Sequence, residues 1–262
     1  MNDREHIRDI KEEYKTPPVP TGFAHVKGEW DDGFVIRQIK DAFESESEFV
    51  WIPVCLLDAD GTLDGQNFQE QFGARNYRYS GLPSRNVPEE LALQAESVQK
   101  YGGFYISRFP VSIDDDGDPC AVEKRMPVTM VSHLQADHQA RRYDGGPDVS
   151  AHLPYAAEMD SVIAWLLKSG EITLRDVREA VALRESKYPN RKPVYYTGIQ
   201  EDEKKGLFDI FTNVDEWTQE QYDEPFLTGC GASCTFPKTA RCYFRPYACY
   251  SFYGFRLALY IR

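Results

Sequence analysis

The sequence is short of several things, and each shortage excludes a class of function. No apolar run approaches the roughly 20 residues of a membrane-spanning helix. The opening Met1-Asn2-Asp3-Arg4-Glu5-His6 has no apolar core of the signal-peptide kind. A soluble chain, made in the cytoplasm with reduced thiols, is therefore expected. Positive charge is scarce, with 30 Lys and Arg against 42 Asp and Glu, a net charge of -12 and a pI near 4.9. That argues against nucleic-acid binding by the bulk of the chain, and against a generally basic membrane-surface protein. The six cysteines include no Cys-x2-Cys pair. Cys230, Cys234, Cys242 and Cys249 are spaced x3, x7 and x6, which is a poor zinc signal, so no metal or cofactor is expected.

The most local shortage is of acid. From Pro225 to the end there is no Asp or Glu, while Lys238, Arg241, Arg245, Arg256 and Arg262 give this stretch +5 and leave -17 for the first 224 residues. The stretch has two parts. Tyr253 to Arg262 alternates, with Phe255, Leu257, Leu259 and Ile261 on one face and Arg256, Ala258, Tyr260 and Arg262 on the other. That is the period of a strand with one face in a core. Cys242 to Tyr253 has no period and is dense in aromatics and cysteines. Aromatics with Arg on irregular backbone are what binding surfaces are built from. The bland alternative, a loop that buries its own rings, stays open on composition alone.

Upstream, residues 1–20 form an arm and a stiff Thr16-Pro17-Pro18-Val19-Pro20 linker, and 21–262 is read as one domain. Strands are predicted at Phe23–Val26, Phe34–Ile36, Phe49–Val54 and Phe104–Val111, and short aromatic ones at Val194–Tyr196 and Leu207–Phe211. A helix after Pro88 carries Leu91, Ala95, Val98 and Tyr101 and stops at Gly102-Gly103. Ser132 with Gln135 is a capping-box pattern, followed by Ala136, Ala140 and Tyr143 on one helical face. Leu153-Pro154 leads into a helix with the stripe Met159, Val162, Ile163, Leu166, and Thr173 with Asp176 starts another with Leu174, Val177 and Val181 inward. Helices gathered mid-chain among short strands predict an α+β fold. Asp114 to Asp118 has calcium-like spacing, but Arg125 stands where such a loop needs its closing Glu, so it is read as solvated charge.

These pieces come in a familiar order. Tyr105-Ile106-Ser107-Arg108, Met126-Pro127-Val128 with Val131-Ser132, Leu153-Pro154 before Glu158, Asn213-Val214-Asp215-Glu216-Trp217-Thr218 and Gly254-Phe255-Arg256-Leu257 together resemble the formylglycine-generating-enzyme-like branch of the C-type lectin fold. Gly22 to Val54 resembles the entry segment of its phage and prophage members. The catalytic members oxidise a substrate cysteine with copper held by two cysteines separated by four residues. Here Cys230 and Cys234 are separated by three, and the expected Arg-Tyr-Arg is missing. His133 and His138, about 140° apart around a helix, do not form the histidine pair of the related iron oxidases.

The chain is more similar to the variable proteins of diversity-generating retroelements, which end in Gly-Phe-Arg-Leu-Ala and carry hypervariable residues just before it. Their randomised adenines give Tyr, Phe, Cys, Ser, Arg, Pro, Ala, Thr and Gly but not Lys, and between Cys230 and Tyr253 only Lys238 departs from that set. The resemblance implies a binding protein, not an enzyme. Its ligand-facing residues would be Cys234, Phe236, Cys242, Tyr243, Phe244, Tyr247, Cys249, Tyr250, Ser251, Phe252 and Tyr253. The implied partner is a protein or cell-surface ligand, met from a virion-associated or surface-displayed position. An oxidase acting through Cys230 and Cys234, or a phage assembly protein, is the alternative.

Overall fold

Phe49-Val50-Trp51-Ile52 is an unbroken apolar run, and all four side chains are fully buried. A strand is apolar throughout when both faces of its sheet are covered. Phe49 and Trp51 join one core cluster, Val50 and Ile52 the other. The same division separates Ile36 from Val35, and Tyr105 from Phe104 and Ile106. Alternation therefore sorts each strand's residues between two cores rather than between core and solvent.

The structure is a computed structural model that describes residues 16–40, 46–54, 89–176, 179, 193–199, 201–223, 226–230, 242–244, 249 and 251–262. Its central layer is a six-stranded antiparallel sheet of β1 (Phe23–Lys27), β2 (Val35–Gln38), β3 (Glu48–Pro53), β4 (Gly103–Ser107), β12 (Ala258–Ile261) and β7 (Val149–His152), in that spatial order. One face is covered by α1 (Glu89–Tyr101), through Val98, and by α3 (Ala156–Lys168), through Met159, Val162, Ile163 and Leu166. The other face meets α2 (His133–Arg142), through Ala136 and Ala140, together with Trp217, Tyr253 and Phe255. A second sheet places β10 (Cys242–Phe244), β9 (Phe226–Cys230), β8 (Asp215–Asp223) and β11 (Tyr253–Gly254) side by side, β11 running parallel to β8. Strands β5 (Ser112–Ile113) and β6 (Pro119–Cys120) make a small hairpin.

The α+β class is as expected, and so are several local devices. Ser132 accepts from the Gln135 amide, and the Gln135 side chain accepts from the Ser132 amide, closing the capping box. Gly102, at φ +82°, donates to the Val98 carbonyl at 2.7 Å and turns α1 into β4.

Other expectations are corrected. Strand β4 ends at Ser107, not Val111, because Pro110 cannot donate to a ladder. Val194–Tyr196 and Leu207–Phe211 are not strands: Tyr195 is tied to the Asn213 side chain, and Leu207 makes only an isolated bridge to Lys204. Leu174 is exposed, while Val177 and Val181 lie outside the described residues. The proline run of the expected linker lies against the sheet, with Pro17 and Pro20 buried and the Tyr105 hydroxyl donating to the Pro18 carbonyl at 2.9 Å.

The C-terminal strand is held on both sides, Ala258 and Leu259 pairing with β4 and Ala258 to Ile261 with β7. Phe255, Leu257 and Leu259 are fully buried, with Ile261 packed at the cluster's edge. The expected polar face is not polar in its surroundings. Arg256, Ala258 and Tyr260 are buried too, because α1 packs near β12 and the guanidinium of Arg256 is enclosed by backbone.

Candidate functional site

The aromatic stretch before β11 leaves the core at a sharp boundary. Tyr253 is fully buried, with its ring centroid 5.0 Å from that of Trp217 and 5.2 Å from that of Phe252. Phe252 is half-buried, and Ser251 and Cys249 are exposed. Tyr253 is thus a correction: it anchors the segment instead of facing a ligand. The reason is its register opposite Asp215 on β8, which places its ring over the indole of Trp217.

That anchor is itself fixed. The indole N–H of Trp217 donates to the Val131 carbonyl at 2.9 Å, and the His133 ring stands edge-on to the indole at 5.9 Å. His133 Nε2 is 3.1 Å from the Thr218 carbonyl, and burial holds its pKa below the ordinary histidine value. The Asp215 amide donates to the Phe252 carbonyl at 2.7 Å. At Gly254 a Cβ would come within 2.8 Å of the Val128 carbonyl oxygen, so only glycine passes there.

Below β11 lies a buried charge cluster. Arg256 donates from Nε to Glu216 at 2.7 Å, from Nη1 to the carbonyls of Ser107 and Arg108 at 3.0 Å each, and from Nη2 to the carbonyl of Phe208. This one side chain joins the end of β4, the loop before β8, and β8 itself. Burial pushes the Glu216 carboxyl up to about 7, against the pull of Arg256 and with the help of Asp209 and Asp215. Asp209, fully buried at φ +57°, accepts from the Gly198 amide at 3.1 Å and is raised by the same cause.

Of the other expected ligand-facing residues, Cys242, Tyr243 and Phe244 form the backbone of β10, opposite Gly229, Thr228 and Leu227 of β9. They belong to the same small sheet as the anchor. Cys234, Phe236, Tyr247 and Tyr250 lie outside the described residues. Cys234 is also one of the two cysteines of the oxidase alternative; the other, Cys230, ends β9. At the acidic turn, Asp114 accepts from the amides of Asp116 and Asp118, and Asp115 and Asp118 pair with Arg125 and Arg142. Among the described residues no group of three or more His, Cys, Asp or Glu is arranged to hold a metal ion.

The structure adds residues that sequence reasoning missed. Thr197 exchanges backbone hydrogen bonds with Lys124 and Arg125, and Asn213 grips Tyr195 through both its side-chain oxygen and nitrogen. Residues 125–128, 195–197, 213–215 and 252–254 are thereby knitted around β11. Met126 (44% exposed), Tyr195 (41%) and Tyr196 (53%) stand on this ring, with Met130 (64%) beyond it. Tyr and Met are enriched at protein interfaces. Tyr195 and Tyr196 are read from sequence only as part of a short strand, which carries no signal of a surface role.

The chain matches no protein-family model, and a search of curated proteins finds no match. No helix among the described residues is long and apolar enough to cross a membrane.

Proposed function

We propose that the chain is a target-recognition protein: a C-type lectin scaffold of the formylglycine-generating-enzyme-like branch, displaying a hypervariable, aromatic-rich surface over residues 234–252. We infer that a diversity-generating retroelement varies that surface. The observation that carries this reading is the boundary at the end of the stretch. Phe252 is half-buried and Ser251 and Cys249 are exposed, whereas every residue from Tyr253 to Tyr260 is buried. A chain that must tolerate many sequences needs its variable side chains outside the core and its return strand locked.

Several features favour the lectin-like scaffold. The C-terminal strand sits inside an antiparallel sheet flanked by helices, and a smaller sheet carries the segment of interest. The Asn213–Thr218 and Gly254–Leu257 matches are in contact through Glu216 and Arg256. The stretch from Pro225 onward has five cations and no acid, which favours a partner with an acidic face. Tyr and Phe supply contact area at low entropic cost, and Met126, Tyr195 and Tyr196 are exposed as well. The ligand is a protein or cell-surface molecule, met from a virion or from another displayed position.

The test is sequencing of the coding region in a population grown with its neighbouring genes intact. The expected result is a near-copy of the 3′ end beside a reverse transcriptase, with substitutions confined to codons 234–252 and none at Trp217, Tyr253, Gly254 or Arg256. An invariant 234–252 without such a template overturns the retroelement reading.

A further inference from the structure

His133 opens α2 and is 6% exposed. Its Nε2 lies 3.1 Å from the Thr218 carbonyl, which can only accept, so Nε2 carries a hydrogen. In the neutral ring that leaves Nδ1 as a lone pair, and Nδ1 is buried with no hydrogen-bond partner among the described residues. The neutral ring fits this site, because its single N–H is used. A second proton would turn Nδ1 into a charged donor with nothing to receive it, away from water. It would also place a cation in the first turn of a helix, where the backbone amides already present their positive ends.

The charged neighbours are few. On α2, Asp137 lies one turn on and favours the charged ring, but its carboxylate is shared: both oxygens accept from Arg141 Nε at 3.1 Å, and Oδ1 accepts from Gln219 at 2.9 Å. From β8 the ring meets the Thr218 carbonyl and the Trp217 indole, neither of which titrates. Earlier on β8, Asp215 stands in register with Tyr253 of β11, and Glu216 is bound to Arg256. Strand β9 pairs with β8 at Trp217, and from Pro225 onward the chain has no Asp or Glu. No acidic side chain from that part can therefore compensate an imidazolium, while Lys238, Arg241 and Arg245 could only oppose one.

One side chain couples this site to β11. The Trp217 indole N–H donates to the Val131 carbonyl at 2.9 Å, just before α2. The His133 ring stands edge-on to the same indole at 5.9 Å, and the Tyr253 ring lies 5.0 Å from it. Strand β11 is two residues long and leans on that indole. We propose that His133 is an acid-triggered release for β11: when its ring gains a second proton, the first turn of α2 parts from Trp217, and Tyr253 loses the surface it lies on. The consequence for ligand binding rests on the function proposed above; the release itself does not.

The sign follows from the same geometry. Burial holds the closed His133 below its ordinary 6.5, against the pull of Asp137. The open state, with the ring in water, takes up the proton more readily. The closed state is therefore fully favoured above 6.5 and loses its advantage as pH falls below it. The opening constant of β11 rises by up to about tenfold per pH unit in that window.

The experiment is amide exchange of the full chain over residues 252–255 from pH 4.5 to pH 7.5, for the wild type and His133→Gln. Global unfolding is read by urea at each pH, and the His133 ring is titrated by NMR in the wild type. Glutamine keeps an N–H for the Thr218 carbonyl and cannot take up a proton in this range. Corrected for its intrinsic pH dependence, wild-type exchange should speed up as pH falls below 6.5, by up to about tenfold per pH unit, and His133→Gln should not follow. At pH 5 these amides should exchange faster than global unfolding allows. Parallel profiles for the two proteins, or exchange that tracks global unfolding throughout, overturn the release. Should His133→Gln fail to fold, the wild type decides alone: a His133 ring that titrates at or above 6.5, or exchange over residues 252–255 indifferent to pH, overturns it. No readout involves a ligand, so the release and the function proposed above fail separately.

Discussion

Within four positions, neighbouring residues do opposite jobs. Tyr253 is core and Ser251 is surface, though both fall in one aromatic, period-free run. Tyr253→Ser should therefore cost roughly 3–5 kcal/mol, as truncations of buried aromatic side chains do. Leu257→Ala, also at zero exposure, should cost about 2–5 kcal/mol. Cys249→Ser and Ser251→Ala should stay within about 0.5 kcal/mol of wild type, as exposed positions do. Urea unfolding of these four variants decides the matter without a ligand. If Cys249→Ser proves as damaging as Leu257→Ala, the segment is part of the core and the display reading fails.

Among elements, β11 depends on its supports more than on its own bonds. Strand β11 is two residues long and lies parallel to β8, so its position is fixed by Gly254 against Val128, by Tyr253 on Trp217, and by Arg256 below. Gly254→Ala drives a methyl toward a backbone carbonyl that has no rotamer by which to retreat. It should cost about 1–3 kcal/mol as an overpacked site, and should speed amide exchange at Tyr253 and Asp215 first. Helix α2 presents His133 to Trp217 from its first turn, so its N-cap also matters here. Ser132→Ala should remove about 0.5–2 kcal/mol, read as a lower denaturation midpoint with an unchanged slope.

In the whole molecule, the last strand closes the first sheet. Strand β12 pairs with β4 on one side and β7 on the other, so a chain ending at Leu257 loses the link between them and exposes the edge of β4. Such a truncation should abolish cooperative unfolding monitored by near-ultraviolet circular dichroism; a chain that still unfolds in one sharp transition contradicts the topology. Acid should act on the same molecule from the other direction. His133 is held neutral by burial, with its folded value depressed, so its contribution is complete above about 6.5 and lost as pH falls. His133→Gln should flatten the acid limb of the stability profile, read by urea unfolding between pH 4 and pH 7.

What the sequence determines by itself is what nearest neighbours decide. The Ser132–Gln135 capping box, the Met159-Val162-Ile163-Leu166 stripe and the stop at Gly102 need only the geometry of one helix, and each is found where the spacing puts it. The alternation of Phe255, Leu257 and Leu259 likewise marked one buried face. The opposite face was decided elsewhere. Arg256 reads as solvent-facing until Glu216, forty positions upstream, and three carbonyls from two separate segments close around it. Tyr253 reads as displayed until β8 supplies Trp217, and Tyr195 reads as part of a strand until Asn213 holds its backbone in a loop. Local periodicity carries one face of one element. Whether the other face meets water, a guanidinium or a second sheet depends on residues far along the chain, and only their convergence in three dimensions settles it.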